Sequence, residues 1–393
     1  MKEVMAGAEA LMRELPEGYE AACYETKAME RRRGIQSPDD LMLLSLYHLL
    51  NGCSLMEISE IASLTKLGKV SDVAFMKRFQ KCGKWFEWVN EHLEWEGRIA
   101  YRKPSCLEKY RVLAPDASDV SEKGRSGRIY RLHFALDLFH LKAALYKITT
   151  NAVGETLKNF DLRENDLVIA DRVHATPTGM AYCLERGADF ILRVRRGAFT
   201  LWDENGAKLN LDALILSREE GEFSGFIRKD DALFPVRICY KKKDAESIEK
   251  TKKRLKRTES KKQTVISDET KLLNEYIVLI TSLSFGISYR DILELYRFRW
   301  QVEIYFKRLK SILDFGELPK KVHESVMAWL NGKLMVALLM EKFMSRQLFP
   351  PSDEPSSQSV ARDKILSPSV TINLPHECGG QPQARDISLP KLL

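Results

Sequence analysis

The sequence predicts a mixed α/β fold entered through a helical N-terminal region. Three observations lead there. Short apolar runs, at 110–116 and 167–170, each deliver an aspartate at their end, and a strand–helix–strand pattern follows the second of them. The first hundred residues carry helix caps and helical spacing but no strand period. Late in the chain, Ile292–Leu313 has no Gly or Pro and is too long and too charged for a buried strand, so it reads as one helix.

Size and composition set the frame. At 393 residues, roughly 150 per domain allows two or three domains, and 44% hydrophobic residues supply a sizeable core. A net charge of +7 permits nucleic acid as a partner without demanding it. The seven cysteines are scattered with no CxxC pair, which argues against a disulfide framework or zinc site and fits a reducing cytoplasm. No apolar run is long enough to span a membrane, and the N-terminus lacks a signal-peptide core, so no membrane partner is expected.

Taken in order, residues 1–36 are polar, helical and end in Arg31-Arg32-Arg33. Ser37-Pro38-Asp39-Asp40 starts a helix, with a cap, a first-turn proline and acids at the positive end. It stops at Asn51-Gly52. Ser54 begins LMEISEIASL, and Ser71 caps a third helix running to Leu93. Two short helices and a Gly-containing turn can form a helix-turn-helix. Residues 65–85 hold six bases, Lys77 and Arg78 among them, against one acid, Asp72. An ordinary small helical bundle accounts for the same pattern equally well.

A basic linker over 97–110 leads to the run ending at Asp116 and a small-residue turn. Strands are expected at Arg128–Leu138 and Leu141–Thr149, a helix opening at Val153-Gly154-Glu155, and a buried strand Leu167–Ala170 ending at Asp171-Arg172. A helix over Thr178–Glu185 and a strand over Ala188–Val194 complete the unit. Each aspartate, taken singly, could be a turn residue. Asp119 and Asp137 compete with Asp116, which follows its apolar run directly, whereas Asp137 is expected in mid-strand. Residues 201–216 and 223–240 read as strands. Residues 241–262 hold 11 Lys/Arg against 4 Asp/Glu and contain a helix, either a solubilising face or a phosphate-contacting one. Tyr276–Leu283 reads as a buried strand, Ser288 as a cap, and Ser325–Lys342 as an apolar helix. Seven of the fourteen prolines lie beyond residue 349, with no surviving period, so 346–393 reads as a disordered tail.

On the 292–313 helix, Tyr296, Arg299, Glu303 and Lys310 fall in a stripe about 60° wide at about 100° per residue. An acid ringed by Arg297, Arg299, Lys307, Arg308 and Lys310 suits a phosphate chain held by cations beside a metal-holding carboxylate. This Y-x2-R-x3-E-x6-K spacing, within YRFRWQVEIYFKRLKS, resembles the signature helix of bacterial insertion-sequence DDE transposases of the insertion-sequence-four group. Asp116-Ala117-Ser118, Arg131-Leu132-His133 and Asp171-Arg172 also match that family, so the likeness runs from about 110 to 340. It implies an RNase H-like mixed-sheet core over 108–200 and 275–345 and a β-rich insertion over 201–274, where Trp202 is the nearest base-stacking candidate. It also implies a DNA-binding helical region over 1–100.

The implied chemistry is metal-dependent cleavage at element ends and 3′-OH transfer to target DNA. Asp116, Asp171 and Glu303 are the expected catalytic ligands of two Mg²⁺ or Mn²⁺ ions. Tyr296, Arg299, Lys307, Lys310, Arg172, Lys77 and Arg78 are the expected DNA contacts. The partners are terminal inverted repeats and target DNA, a homodimer is the expected assembly, and the bacterial cytoplasm and nucleoid the expected location. An inactive DNA-binding remnant of such an enzyme is the alternative.

Overall fold

The computed structural model of the protein describes residues 2–94, 103–122, 129–312, 317–318, 322–348, 370–371 and 388–389. Its N-terminal helices are α1 Lys2–Met12, α2 Tyr19–Glu25, α3 Pro38–Asn51, α4 Leu55–Leu64, α5 Asp72–Lys81 and α6 Gly83–His92. The caps fall where the sequence puts them. Ser37 accepts from the Asp40 amide, Ser54 and Glu57 form a reciprocal capping box, and Ser71 accepts from the Ala74 amide. The single helix expected after Ser71 is two. At the junction the Cys82 amide bonds to Phe79, three residues back, instead of the α-helical fourth. The break lets α6 turn onto a later helix, where a Cβ on Gly83 would stand 3.2 Å from the Ala328 amide nitrogen.

The first strands are β1 Arg111–Glu122, β2 Ile129–Asp137, β3 Lys142–Thr150 and β4 Asp166–Ala170. They are followed by α7 Pro177–Glu185 and β5 Asp189–Arg193. Next come β6 Leu201–Trp202, β7 Lys208–Leu209, α8 Leu211–Leu216, β8 Glu220–Lys229, β9 Ala232–Lys242, α9 Ala245–Lys262 and α10 Asp268–Leu273. The chain closes with β10 Tyr276–Thr281, α11 Tyr289–Arg297, α12 Trp300–Ile312, β11 Glu317–Leu318 and α13 His323–Leu348. One sheet runs β3-β2-β1-β4-β5-β10-β9-β8-β6-β7, with β11 beside β1. β1 is antiparallel to β2 and parallel to β4, and β4 is parallel to β5. The 201–274 segment therefore continues the main sheet through β9 on β10.

Several expectations change. β1 does not end at Asp116 but runs six residues further, because the whole stretch from Leu113 to Ser121 pairs with β2. Asp137, not Asp116, stands at a strand end. Val153-Gly154-Glu155 opens no helix; one 3₁₀ turn, Leu157–Asn159, follows it. Residues 201–216 give two short strands and then α8, which Asn210 caps. The 97–110 linker lies partly, and the tail almost wholly, outside the described residues. Within the tail, Val370–Thr371 pairs with Ser388–Leu389. Among the described residues no helix is long and apolar enough to cross a membrane.

β4 is buried on both faces, and its side chains alternate as a strand requires. Leu167 and Ile169 face the core shared with α11–α13; Val168 and Ala170 face the core under α7. α13 joins the two regions of the molecule. Its Val326, Leu330, Leu334 and Leu339 share one core with α3, α5 and α6. Its backbone and side chains also bond into the bundle: Asn90 donates to the Asn331 carbonyl at 3.0 Å, Asn331 to Gly83 at 3.3 Å, and Lys333 to Leu49 at 2.6 Å.

Candidate active site

The residues from Ile292 to Leu313 form two helices rather than one. At Phe298–Arg299 the amides of Phe298, Arg299, Gln301 and Val302 each bond to the carbonyl three residues back. Such a 3₁₀ elbow stacks residues three apart. Phe298 is thereby seated on Phe139, with ring centroids 6.3 Å apart, and the Arg299 guanidinium sits at the bend, only 15% of its side chain exposed. On α12, Tyr305 stacks on Phe134 at 4.4 Å and Phe306 meets the same ring edge-on at 5.7 Å. Phe134 is the cross-strand partner of Asp116, so one aromatic cluster sets the distance between α12 and the first acid.

The acids come together from three elements. β1 and β4 pair as far as Leu113 opposite Val168; Asp116 and Asp171 each follow three residues on, close enough for the Asp171 charge to act on Asp116. Asp116 accepts from the Ala117 amide at 2.8 Å, and Asp171 from the Val173 amide at 3.0 Å. Arg299 lies 4.0 Å from Asp116 and is also paired with Glu303. Burial pushes the Asp116 carboxyl up to about 6; repulsion from Asp171 and Glu303 adds to this, while the Ala117 amide and Arg299 oppose it. Among the described residues no three His, Cys, Asp or Glu side chains stand as a ready-made ion cage. Arg299 instead lies between Asp116 and Glu303. The rival acids are occupied elsewhere. Asp119 holds Arg131 in a fork at 2.6 and 3.1 Å, and Asp137 caps the following turn through the Phe139 and His140 amides.

Beside the acids lies a cluster of positive charge. Tyr296 is partly buried next to Arg299 with its hydroxyl turned inward, and burial raises the hydroxyl pKa. Arg172 reaches Asn274 at 3.2 Å, but its Nε, like that of Arg193, is buried with no partner. Lys243 bonds to Thr251 at 3.2 Å and to the Asn274 carbonyl. Burial, then repulsion from Arg193 and Arg254, pushes Arg172 down to about 10; burial, then Arg193, Arg172 and Arg254, pushes Lys243 down to about 8. Buried donors left open, on cations that repel one another, are the chemistry of an anion site. Arg193, Lys243 and Arg254 escape a sequence reading because they come from the ends of β5 and β9 and from α9. The one signal was the charge run Arg193-Val194-Arg195-Arg196 at a strand end.

Lys307 and Lys310 lie exposed on α12, and Trp300, 44% exposed, opens the same helix three residues before Glu303. His174, 3% exposed, lies just behind Asp171 with Nδ1 unpartnered. Lys77 is exposed on α5, in the helical bundle; Arg78 beside it donates to the carbonyls of Arg31 and Arg33. Trp202 lies five strands from β4 in the sheet, with Lys208 and Arg228 over its ring.

This strand order, with acids on neighbouring central strands and a third on the covering helix, defines the RNase H-like class of DNA-processing enzymes. The family described as "Transposase DDE domain" matches residues 108–339. The chain belongs to that family. It is 28% identical over 349 residues to InsL of insertion sequence element IS186A from Escherichia coli (strain K12), covering 86% of this chain and 93% of that one. The transposase for insertion sequence element IS421 from Escherichia coli is 28% identical over 350 residues, with the same coverage. The transposase for IS231E from Bacillus thuringiensis subsp. finitimus is 26% identical over 209 residues, 48% of this chain and 44% of that one.

The Asp116 shift has a measurable consequence. Its folded-state pKa stands above the unfolded-state value, so protonation favours the fold. Stability that is full below about 4 is lost as pH rises through about 6. Two units correspond to ~3 kcal/mol, and partial exposure of the side chain lowers this to about 2. Asp116→Asn is expected to stabilise the ion-free protein by that amount at pH 7 and not at pH 4. Urea unfolding in EDTA at both values checks it; equal gains at the two pH values refute the burial argument.

Proposed function

We propose that this transposase moves an insertion sequence by cutting DNA at the element's ends and joining the freed 3′-OH to target DNA. What carries the reading is one set of contacts: Arg299 linking Asp116 on β1 to Glu303 on α12, with the Asp171 charge acting on Asp116. Three carboxylates are a hard-oxygen donor set, the kind Mg²⁺ or Mn²⁺ prefers. Arg299 already holds two of them together by positive charge, which a divalent ion would do more strongly. Asp116, Asp171 and Glu303 would hold two such ions. When bound, the ions lower the pKa of the attacking oxygen and offset charge at the scissile phosphate.

The chain's own groups supply the rest. Arg299, released from the acids, becomes a phosphate donor at the cleaved end, with Tyr296 beside it. Arg172, Arg193, Lys243 and Arg254 take a neighbouring phosphate, whose charge relieves their mutual repulsion. Lys307 and Lys310 track the backbone from the exposed face of α12. The bundle over 1–100 carries Lys77 towards the terminal inverted repeats, α4 and α5 acting as a helix-turn-helix, and two copies act on paired ends in the nucleoid. Three carboxylates present in order favour an enzyme over an inactive remnant.

Purified protein is to be incubated with Mg²⁺ and a linear duplex carrying the DNA that flanks the gene on both sides. Nicks at the element ends and joined products in an added plasmid are expected. A protein that binds the duplex but leaves it uncut with both Mg²⁺ and Mn²⁺ overturns the proposal.

A further inference from the structure

Residues Glu30–Ile35 form a loop that the helical bundle builds with unusual care. Arg78 on α5 donates Nη1 to the Arg31 carbonyl at 3.1 Å and Nη2 to the Arg33 carbonyl at 3.3 Å. Lys81, one turn further along α5, binds Glu30 at 2.6 Å. On the other side, the Lys69 amide donates to the Gly34 carbonyl at 2.8 Å, and Ile35 bridges to Gly68 while fully buried. Gly34 has φ +79° and sits so close to the α4–α5 turn that a Cβ would lie 2.8 Å from the Lys69 carbonyl oxygen. The loop is thus tied to the turn and to the second helix of the expected helix-turn-helix.

What the loop displays is charge. Arg31, Arg32 and Arg33 are all exposed, and Lys77 and Lys69 stand on the elements that hold them. Arg32 leans over Tyr24 at 5.9 Å. The neighbouring acid, Glu30, is taken by Lys81. Three guanidinium side chains are therefore gathered round the backbone clamp of a fourth. Like charges gathered at one exposed loop attract a polyanion. Arg78 is committed inward: both its terminal nitrogens are used on carbonyls.

We propose that the Arg31–Arg33 loop is a rigid phosphate clamp for duplex DNA, and that Arg78 builds the clamp without contacting DNA itself. The inference rests on the DNA-processing function proposed above and names the part of the bundle that meets the backbone. Preorganisation matters because a loop whose backbone is already held has less freedom to lose on binding. Three phosphate contacts correspond to about 2.7 counterions released from duplex DNA.

Binding of a fluorescein-labelled duplex carrying the gene's flanking end is to be followed by anisotropy in EDTA, across a salt series. The full chain is compared with the triple variant Arg31→Ala/Arg32→Ala/Arg33→Ala and with Arg78→Met and Lys77→Ala. For the triple variant the slope of log Kd against log salt is expected to flatten by 2 to 3, following about 0.9 per lost phosphate contact. Arg78→Met removes one charge but is expected to flatten the slope by more than one, because the loop comes loose. Lys77→Ala is expected to cost about one contact. A triple variant with an unchanged slope overturns the clamp; its sites are exposed, so misfolding offers no rescue. An Arg78→Met loss of about 0.9 beside an unchanged triple variant assigns the contact to Arg78 instead. The assay contains no metal, so failure here leaves the cleavage proposal standing, and failure to cleave leaves this one standing.

Discussion

Glu303→Gln should bind end DNA as tightly as the wild type, within about twofold, and cut it at least a thousandfold more slowly, a loss of ~4 kcal/mol in transition-state stabilisation. The change keeps shape and removes one negative charge from a three-acid set. Glu303 is the most exposed of the three, 58% of its side chain, and its protein partner is Arg299 four residues earlier. Folding should therefore be little affected, which makes the variant a clean test. Single-turnover cleavage of a labelled duplex in Mg²⁺ gives the rate, and anisotropy gives the affinity. A rate within tenfold of the wild type would remove Glu303 from the chemistry.

Asp166→Ala should destabilise the fold by about 3 kcal/mol, the second largest effect expected. Asp166 is fully buried at the start of β4, directly opposite Arg111 at the start of β1. It accepts from Arg111 Nε at 2.7 Å and Nη2 at 2.9 Å, and from the Arg163 amide at 2.9 Å. Truncation strands all three donors. Arg111 keeps 22% of its side chain exposed, so water recovers part of the loss and the estimate stays at the low end for a buried pair. Urea unfolding gives the midpoint. A loss below about 1 kcal/mol means the pair is ornamental, and that β1 and β4 hold their register without it.

The local signals were legible. Ser37, Ser54, Ser71 and Ser288 each begin the helix the sequence assigns to them, because a cap is decided by side chain and backbone within four residues. The buried strand Leu167–Ala170 and the Asp171 after it were readable for the same reason. The errors came where a partner distant in sequence decides. β1 passes through Asp116 because β2 pairs with it far beyond the acid. The helix breaks at Cys82 and at Phe298–Arg299 follow from packing on Ala328 and on Phe139, which no helical period contains. The acid stripe was visible as a spacing. Its neighbours Arg193, Lys243 and Arg254 were not, since sheet order and the path of α9 bring them to Arg172.

The position of α13 reaches into how the protein is made. A ribosome delivers α3, α5 and α6 more than two hundred residues before it delivers Leu330, Leu334 and Leu339, which complete their core. Until then the nascent bundle has an open apolar seam and the Leu49 carbonyl lacks Lys333. On the proposal that this bundle grips DNA, the grip matures only after the three acids, all of which precede α13, have been translated. Chains cut short before α13 lack the side chains that close this core, so on that proposal they are expected to hold the element's ends poorly and to compete little with the finished enzyme.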